Sequence, residues 1–167
     1  EDIAYGLAGE FRWGGHTRPR FNVGHHSILV AYFVGAECRA RGLSRLETLI
    51  FKLEAILHDG AEGLGFRDLP GPMKKHPLLA GYKSGESALQ DAIQARFGLP
   101  PGKSEIVGLV DRRVEATEMR DLEPCRVSRY EPYPMRIDVA MDAKEAEEAF
   151  LREFHAIQRE LAQLRGR

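Results

Sequence analysis

Leu49-Ile50-Phe51-Lys52-Leu53-Glu54-Ala55-Ile56-Leu57-His58-Asp59 is an apolar run at helical spacing that ends in two strong metal ligands. Neutral imidazole and carboxylate are the donors that hard and borderline divalent cations take up. Adjacent residues on one helix point about 100° apart, so His58 and Asp59 reach one ion together only near a helix end. Further ligands must come from other segments. His26 lies 32 residues earlier and Asp111 lies 53 residues later, each flanked by apolar residues at helical spacing. A buried carboxylate without a partner is costly, and one cation removes that cost for Asp59 and Asp111 together. Two His and two Asp from three helices make a mononuclear site with open positions.

Helical periodicity recurs outward from this run, and alternating strand patterns are nearly absent. Ile3, Leu7 and Phe11 mark a short amphipathic segment over 2–11. Gly14-Gly15 opens a loop that runs to Val23. The spacing of Ile28, Leu29, Tyr32, Phe33 and Ala36 predicts a helix over 25–41, with Gly42 as the residue just past its end. Ser44-x-x-Glu47 is a capping box that starts the helix carrying His58-Asp59. Residues 60–77 read as a structured loop with short helical turns. Helices follow over 79–97, ending at Gly98, and over 104–122. Residues 123–136 read as loop, and Asp142-x-x-Glu145 is a second capping box that starts a last helix to about 165. The expectation is an all-α chain with one domain over 1–167 and the metal site at its centre.

Composition narrows the function. A chain of 167 residues, 43% hydrophobic and 29% charged, suits one globular core. The net charge of −1 gives no global field toward nucleic acid or an anionic membrane. The two cysteines, Cys38 and Cys125, have no CxxC spacing and read as reduced thiols in a cytoplasmic protein. No apolar run approaches the ~20 residues needed to span a bilayer, and the start carries no signal-peptide pattern. Glu1 stands without a Met, so a few leading residues are expected to precede it.

Glu62, four residues after His58, shares its face if the helix continues one more turn. It then stands beside the ion as a general acid or base; the bland alternative is a solvated loop carboxylate. Glu115 and Glu118 follow Asp111 on nearly the same face. They read either as carboxylates supporting the ligands or as partners in interhelical ion pairs.

The ordered set Asn22-Val23-Gly24-His25-His26-Ser27, Leu57-His58-Asp59-Gly60-Ala61-Glu62 and Val110-Asp111 resembles the HD-domain metal-dependent phosphohydrolases. Within that superfamily the chain is similar to small bacterial 5′-deoxynucleotidases and to phage dATP triphosphohydrolases. Arg12-Trp13, Asp68-Leu69-Pro70-Gly71-Pro72-Met73-Lys74 and Glu115 to Leu122 carry that closer likeness, which covers about residues 1–125.

The resemblance implies an HD-type helical bundle with His26, His58, Asp59 and Asp111 as metal ligands. His25 is the other choice for the first ligand, but the family's His-Ser pattern falls on His26-Ser27. At His25 many relatives have Glu or Gln, so a supporting role is open there. Glu62 and Asp59 are implied as the catalytic pair, and Arg12, Trp13, Lys74 and Asp68 as substrate contacts. Trp13 is equally readable as a core anchor. The implied cofactor is a divalent ion, Mn²⁺, Co²⁺ or Zn²⁺ before Mg²⁺, since two imidazoles lean away from Mg²⁺.

The implied reaction is attack by metal-activated water at the α-phosphorus of a deoxynucleotide. A dNTP, dATP first, would release deoxynucleoside and triphosphate. The basic loop Arg12, Arg18 and Arg20 favours the triphosphate. The alternatives are a 5′-deoxynucleotidase acting on dNMPs and a nucleotide-sensing HD module without turnover. Relatives form dimers or larger rings, so a homo-oligomer is expected, with Leu79, Tyr82 and the last helix as candidate contacts. The implied setting is cytoplasmic, in a host cell if the source is a phage.

Overall fold

Among the residues that the computed structural model describes (1–122 and 128–166, the Pro72 side chain excepted), regular structure is helical apart from one antiparallel bridge between Phe11 and Asn22. Helix α1 spans Asp2–Gly9, and a tight turn follows over Arg12–Gly15. Helix α2 spans Val23–Ala40 and α3 spans Arg45–Leu57. Short turns at Glu62–Leu64 and Pro77–Leu79 flank the four-residue α4, Gly71–Lys74. Helices α5 (Ala80–Arg96), α6 (Glu105–Leu122) and α7 (Ala143–Arg165) complete the chain.

Local chemistry sets these boundaries. The Ser44/Glu47 and Asp142/Glu145 capping boxes both form, each satisfying orphan N–H groups at a helix start. Gly42 adopts φ +69°, and Leu43 N donates to the Cys38 carbonyl while Gly42 N donates to Arg39. That is the six-to-one and five-to-two bonding that closes a helix through a left-handed residue. Helix α2 begins at Val23, two residues before the expected start, because the Asn22 side chain accepts from His25 N and caps it.

Helices α2 and α3 pack along each other, α6 lies against α2 and α3, and α7 packs on α1, α2 and α3. Leu7, Val34, Leu53, Ile56, Val107, Val110 and Phe150 are all buried in one core, each contributing roughly 1.5–3 kcal/mol relative to exposure. The apolar stripe of α7, with Ala146, Phe150, Ile157 and Leu161, closes it. Helix α5 lies outside this core and buries only Ile93 and Gln94 along its own length.

Helix α1 docks unusually closely on the Glu62–Leu64 turn. A Cβ on Gly6 would stand 1.9 Å from the Gly63 carbonyl oxygen, so only glycine permits the contact. No described helix is long and apolar enough to cross a membrane. Cys38 is a buried free thiol, and Cys125 lies outside the described residues.

Candidate metal centre

The end of α3 presents the His-Asp pair, as the sequence implies, but by tighter turns than a continued α-helix. Gly60 N donates to Leu57 O and Glu62 N to Asp59 O, both at 2.9 Å. These i→i+3 bonds replace the expected extra α-turn. Glu62 therefore sits on the short turn after α3 rather than on its face. Gln90 of α5 holds this segment from outside: its Nε2 donates to Leu57 O at 2.8 Å, and its Oε1 accepts from Ala61 N at 3.1 Å.

Donor atoms of His26, His58 and Asp59 lie within 4.8 Å of one another. His58 Nε2 is 3.1 Å from Asp59 Oδ2, and His26 Nε2 is 3.8 Å from the same oxygen. Asp111 Oδ1 joins from α6 at 3.2 Å from His26 Nε2 and 3.7 Å from His58 Nε2. Each imidazole is oriented through its other nitrogen. His58 Nδ1 donates to Ala55 O at 2.6 Å, and His26 Nδ1 donates to Glu118 Oε1 at 2.6 Å. Both Nε2 atoms thus face the carboxylates. His58 Nε2 is buried there without a well-formed hydrogen bond, an orphan that a cation satisfies. Two imidazoles and a carboxylate so arranged have the donor chemistry to hold a metal ion.

Electrostatics agree. Against burial, His58 and Lys103 hold the Asp59 carboxyl well below the usual range. Lys103 and the two imidazoles do the same for Asp111. His26 is pushed up to about 9: burial and Arg12 oppose its charge, but Glu118 and Asp111 outweigh them.

Glu118 is the hub behind this group. It is fully buried and accepts from His26 Nδ1, from Arg12 Nε at 2.8 Å and from Trp13 Nε1 at 3.3 Å. It thus makes an interhelical ion pair with His26 and holds that imidazole's orientation at once. Trp13 is 9% exposed, yet it borders the cleft. Its backbone is left-handed (φ 58°), a strain on the order of 1–3 kcal/mol, and Asp68 Oδ2 accepts from its N–H at 3.2 Å.

A cavity of about 210 Å³ opens beside Asp59 and Asp111 and is lined by Arg12, Trp13, Asp59, Glu62, Asp68 and Lys74, with Lys103, Asp111 and Glu115. A second cavity of about 720 Å³ borders His58, Asp59, Glu62, Lys74 and Lys103 on the side of α5. Lys74 bridges Glu62 Oε1 at 2.8 Å and Glu86 Oε1 at 3.0 Å. Glu62 Oε2 is buried with no partner. Burial and the nearby Asp59 raise the Glu62 pKa above the ordinary carboxylate range, with Lys74 opposing.

Several expected contributors stand elsewhere. Arg18 and Arg20 line neither cavity, and Arg20 lies over the Phe11 ring. His25 does not join the ligands: its ring packs on Phe21, and its Nδ1 accepts from Met141 N at 3.3 Å. Lys103 had no signal in the sequence, for it sits in a Gly-Pro-rich connection outside any motif. Gln90 was equally hidden, as one polar residue on an exposed helix.

No family model matches the chain. It is 34% identical over 121 residues to the uncharacterized protein YfdR of Escherichia coli K12, covering 72% of this chain and 59% of that protein. It is 33% identical over 138 residues to the uncharacterized protein RCAP_rcc00048 of Rhodobacter capsulatus, covering 77% and 66%. The chain thus spans 59% and 66% of the length of these curated relatives.

Proposed function

We propose that this protein is a metal-dependent phosphohydrolase of deoxynucleotides, built on an HD-type helical bundle. One observation carries the reading: His26, His58, Asp59 and Asp111 converge beside Arg12, Glu62 and Lys74 around one small cavity. His26, His58, Asp59 and Asp111 would hold a divalent ion, which would supply Lewis-acid polarisation of a phosphoryl oxygen and acidify water.

The chain's own residues do the rest. Arg12 gives its Nε to Glu118 and keeps its outer nitrogens for the cleft, with Nη1 3.9 Å from Asp59 Oδ2. That fork suits two phosphoryl oxygens. Lys74 fixes Glu62 through Oε1, leaving Oε2 to hold a proton and pass it to the leaving oxygen. Trp13 is a fixed apolar wall that crowds a 2′-hydroxyl.

Charge balance favours a monophosphate. The small cavity carries three cationic side chains (Arg12, Lys74, Lys103) and five carboxylates (Asp59, Glu62, Asp68, Asp111, Glu115). With Glu62 holding a proton and a divalent ion bound, the sum is one positive charge, too small a surplus for a triphosphate. Of the arginines that favoured a triphosphate in the sequence, Arg12 lines the cleft, while Arg18 and Arg20 lie outside it. A dNTP triphosphohydrolase is the second reading, supported by Lys83 in the larger cavity.

An anion-exchange product assay on dNMPs, dNTPs and ATP with Mn²⁺, Co²⁺, Zn²⁺ or Mg²⁺ tests this. Phosphate from dNMPs, abolished in Asp59→Ala with the fold retained, is the expected result. Intact triphosphate from dATP would establish the second reading. No turnover with any pair would refute both and leave a nucleotide-sensing module.

A further inference from the structure

We propose that Lys103 is a phosphate-binding residue, standing between the two cavities of the cleft and serving whichever anion lies on the metal-ligating group. The identity of that anion rests on the phosphohydrolase reading; the placement of Lys103 does not.

The backbone on either side of Lys103 is pinned by different helices. Gly102 N donates to Asp91 Oδ1 at 3.1 Å, and Gly102 O accepts from Gln94 Nε2 at 2.8 Å, both from α5. Ser104 N donates at 2.6 Å to Glu54 Oε1, a buried carboxylate of α3 one turn before His58. Gly102 takes φ +81°, a conformation that glycine adopts without the cost other residues pay. A residue held from both sides in this way has a defined position although it belongs to a loop.

From there the side chain reaches inward. Lys103 Nζ donates to Asp111 Oδ2 at 2.9 Å. The other oxygen of that carboxylate, Oδ1, faces His26 and His58. Lys103 therefore occupies the oxygen turned away from the ligand group, and an ion at the group does not need its place. An ammonium has three donors, and this is the one hydrogen bond Lys103 makes among the described residues. It lines both the 210 Å³ and the 720 Å³ cavity, where its remaining donors are available to a phosphoryl oxygen. A lysine that merely neutralised Asp111 would do its work in one place; this one borders the whole cleft.

The two roles separate experimentally. Mn²⁺ is titrated into wild-type protein and Lys103→Gln by calorimetry, and inorganic phosphate is then titrated into each Mn²⁺-loaded protein. The expected result is that Lys103→Gln binds Mn²⁺ at least as tightly as wild type, since a cation beside Asp111 is gone, while phosphate affinity falls about tenfold. Lys103→Arg should recover most of the phosphate affinity. Equal phosphate binding by wild type and Lys103→Gln, or a loss of Mn²⁺ affinity that accounts for all of the phosphate loss, would overturn the role of Lys103 alone. A wild-type protein that binds Mn²⁺ but no phosphate would overturn both this role and the phosphohydrolase reading.

Discussion

Replacing Glu118 by glutamine removes one charge from the centre of the molecule while keeping its volume. Glu118 accepts three hydrogen bonds, from His26 Nδ1, Arg12 Nε and Trp13 Nε1. A glutamine offers one acceptor oxygen in place of two, and its amide hydrogens face donors. Breaking a buried ion pair costs about 3–5 kcal/mol because the remaining charge stays buried. Here Arg12 retains Asp59 at 3.9 Å, which argues for the lower figure, ~3 kcal/mol. For a domain of this size each kcal/mol is about 2–4 °C, so the melting temperature should fall roughly 6–12 °C. That is a fraction of the ~5–15 kcal/mol typical of a folded domain, so the variant should remain folded. His26 also loses the partner that fixes its ring, and such losses lower metal affinity by roughly 10–100-fold. Circular dichroism melts of the metal-free proteins and Mn²⁺ calorimetry read the two effects separately. A folded Glu118→Gln protein whose Mn²⁺ affinity lies within threefold of wild type would refute the claim that Glu118 orients a metal ligand. An unchanged melting temperature would refute the buried pair.

Other consequences are equally open to measurement. At 100 times its dissociation constant, Mn²⁺ should stabilise the protein by about 2.7 kcal/mol; the rise in melting temperature should vanish in His58→Ala and Asp59→Asn, and its survival there would place the ion elsewhere. Gly6→Ala drives a Cβ to 1.9 Å from the Gly63 carbonyl and should cost at least about 1–3 kcal/mol in urea unfolding; an unchanged midpoint would mean that α1 does not approach the Glu62 turn so closely.

The acid limb of stability should depend on Asp121. Its carboxylate accepts from Arg120 Nε and Nη2 at 2.7 Å and from Ile137 N at 2.8 Å, and the Arg120 bonds hold its pKa below the ordinary value. A depressed folded pKa stabilises the native state fully above the unfolded value of ~3.9 and loses that contribution as pH falls through the folded value. Asp121→Asn should thus be less stable than wild type near neutral pH, with the two curves converging below about pH 4. Curves that stay parallel would contradict the assignment.

The helices and their ends were legible in the sequence because their signals are local. Both capping boxes act between residues three apart, and left-handed Gly42 closes α2 by its bond to Arg39 and by that of Leu43 to Cys38. The apolar run Leu49–Leu57 places His58 and Asp59 at a helix end whatever else the chain does. The spacing of His26 and Asp111 on apolar faces then sufficed to nominate four ligands. Spacing could not show what stands behind them or what shares their cleft. Arg12 meets Glu118 across 106 residues and Gln90 meets Ala61 across 29, and no periodicity encodes such distances. The basic loop illustrates the same limit. Arg12, Arg18 and Arg20 look alike in the sequence, but the left-handed turn at Trp13-Gly14-Gly15 separates them, with Arg12 buried against Glu118 and the other two at the surface. Local hydrogen bonding and apolar periodicity determined where the helices and their candidate ligands lie. Long-range packing alone decided which charges face one another, because that depends on how helices distant in sequence meet in space.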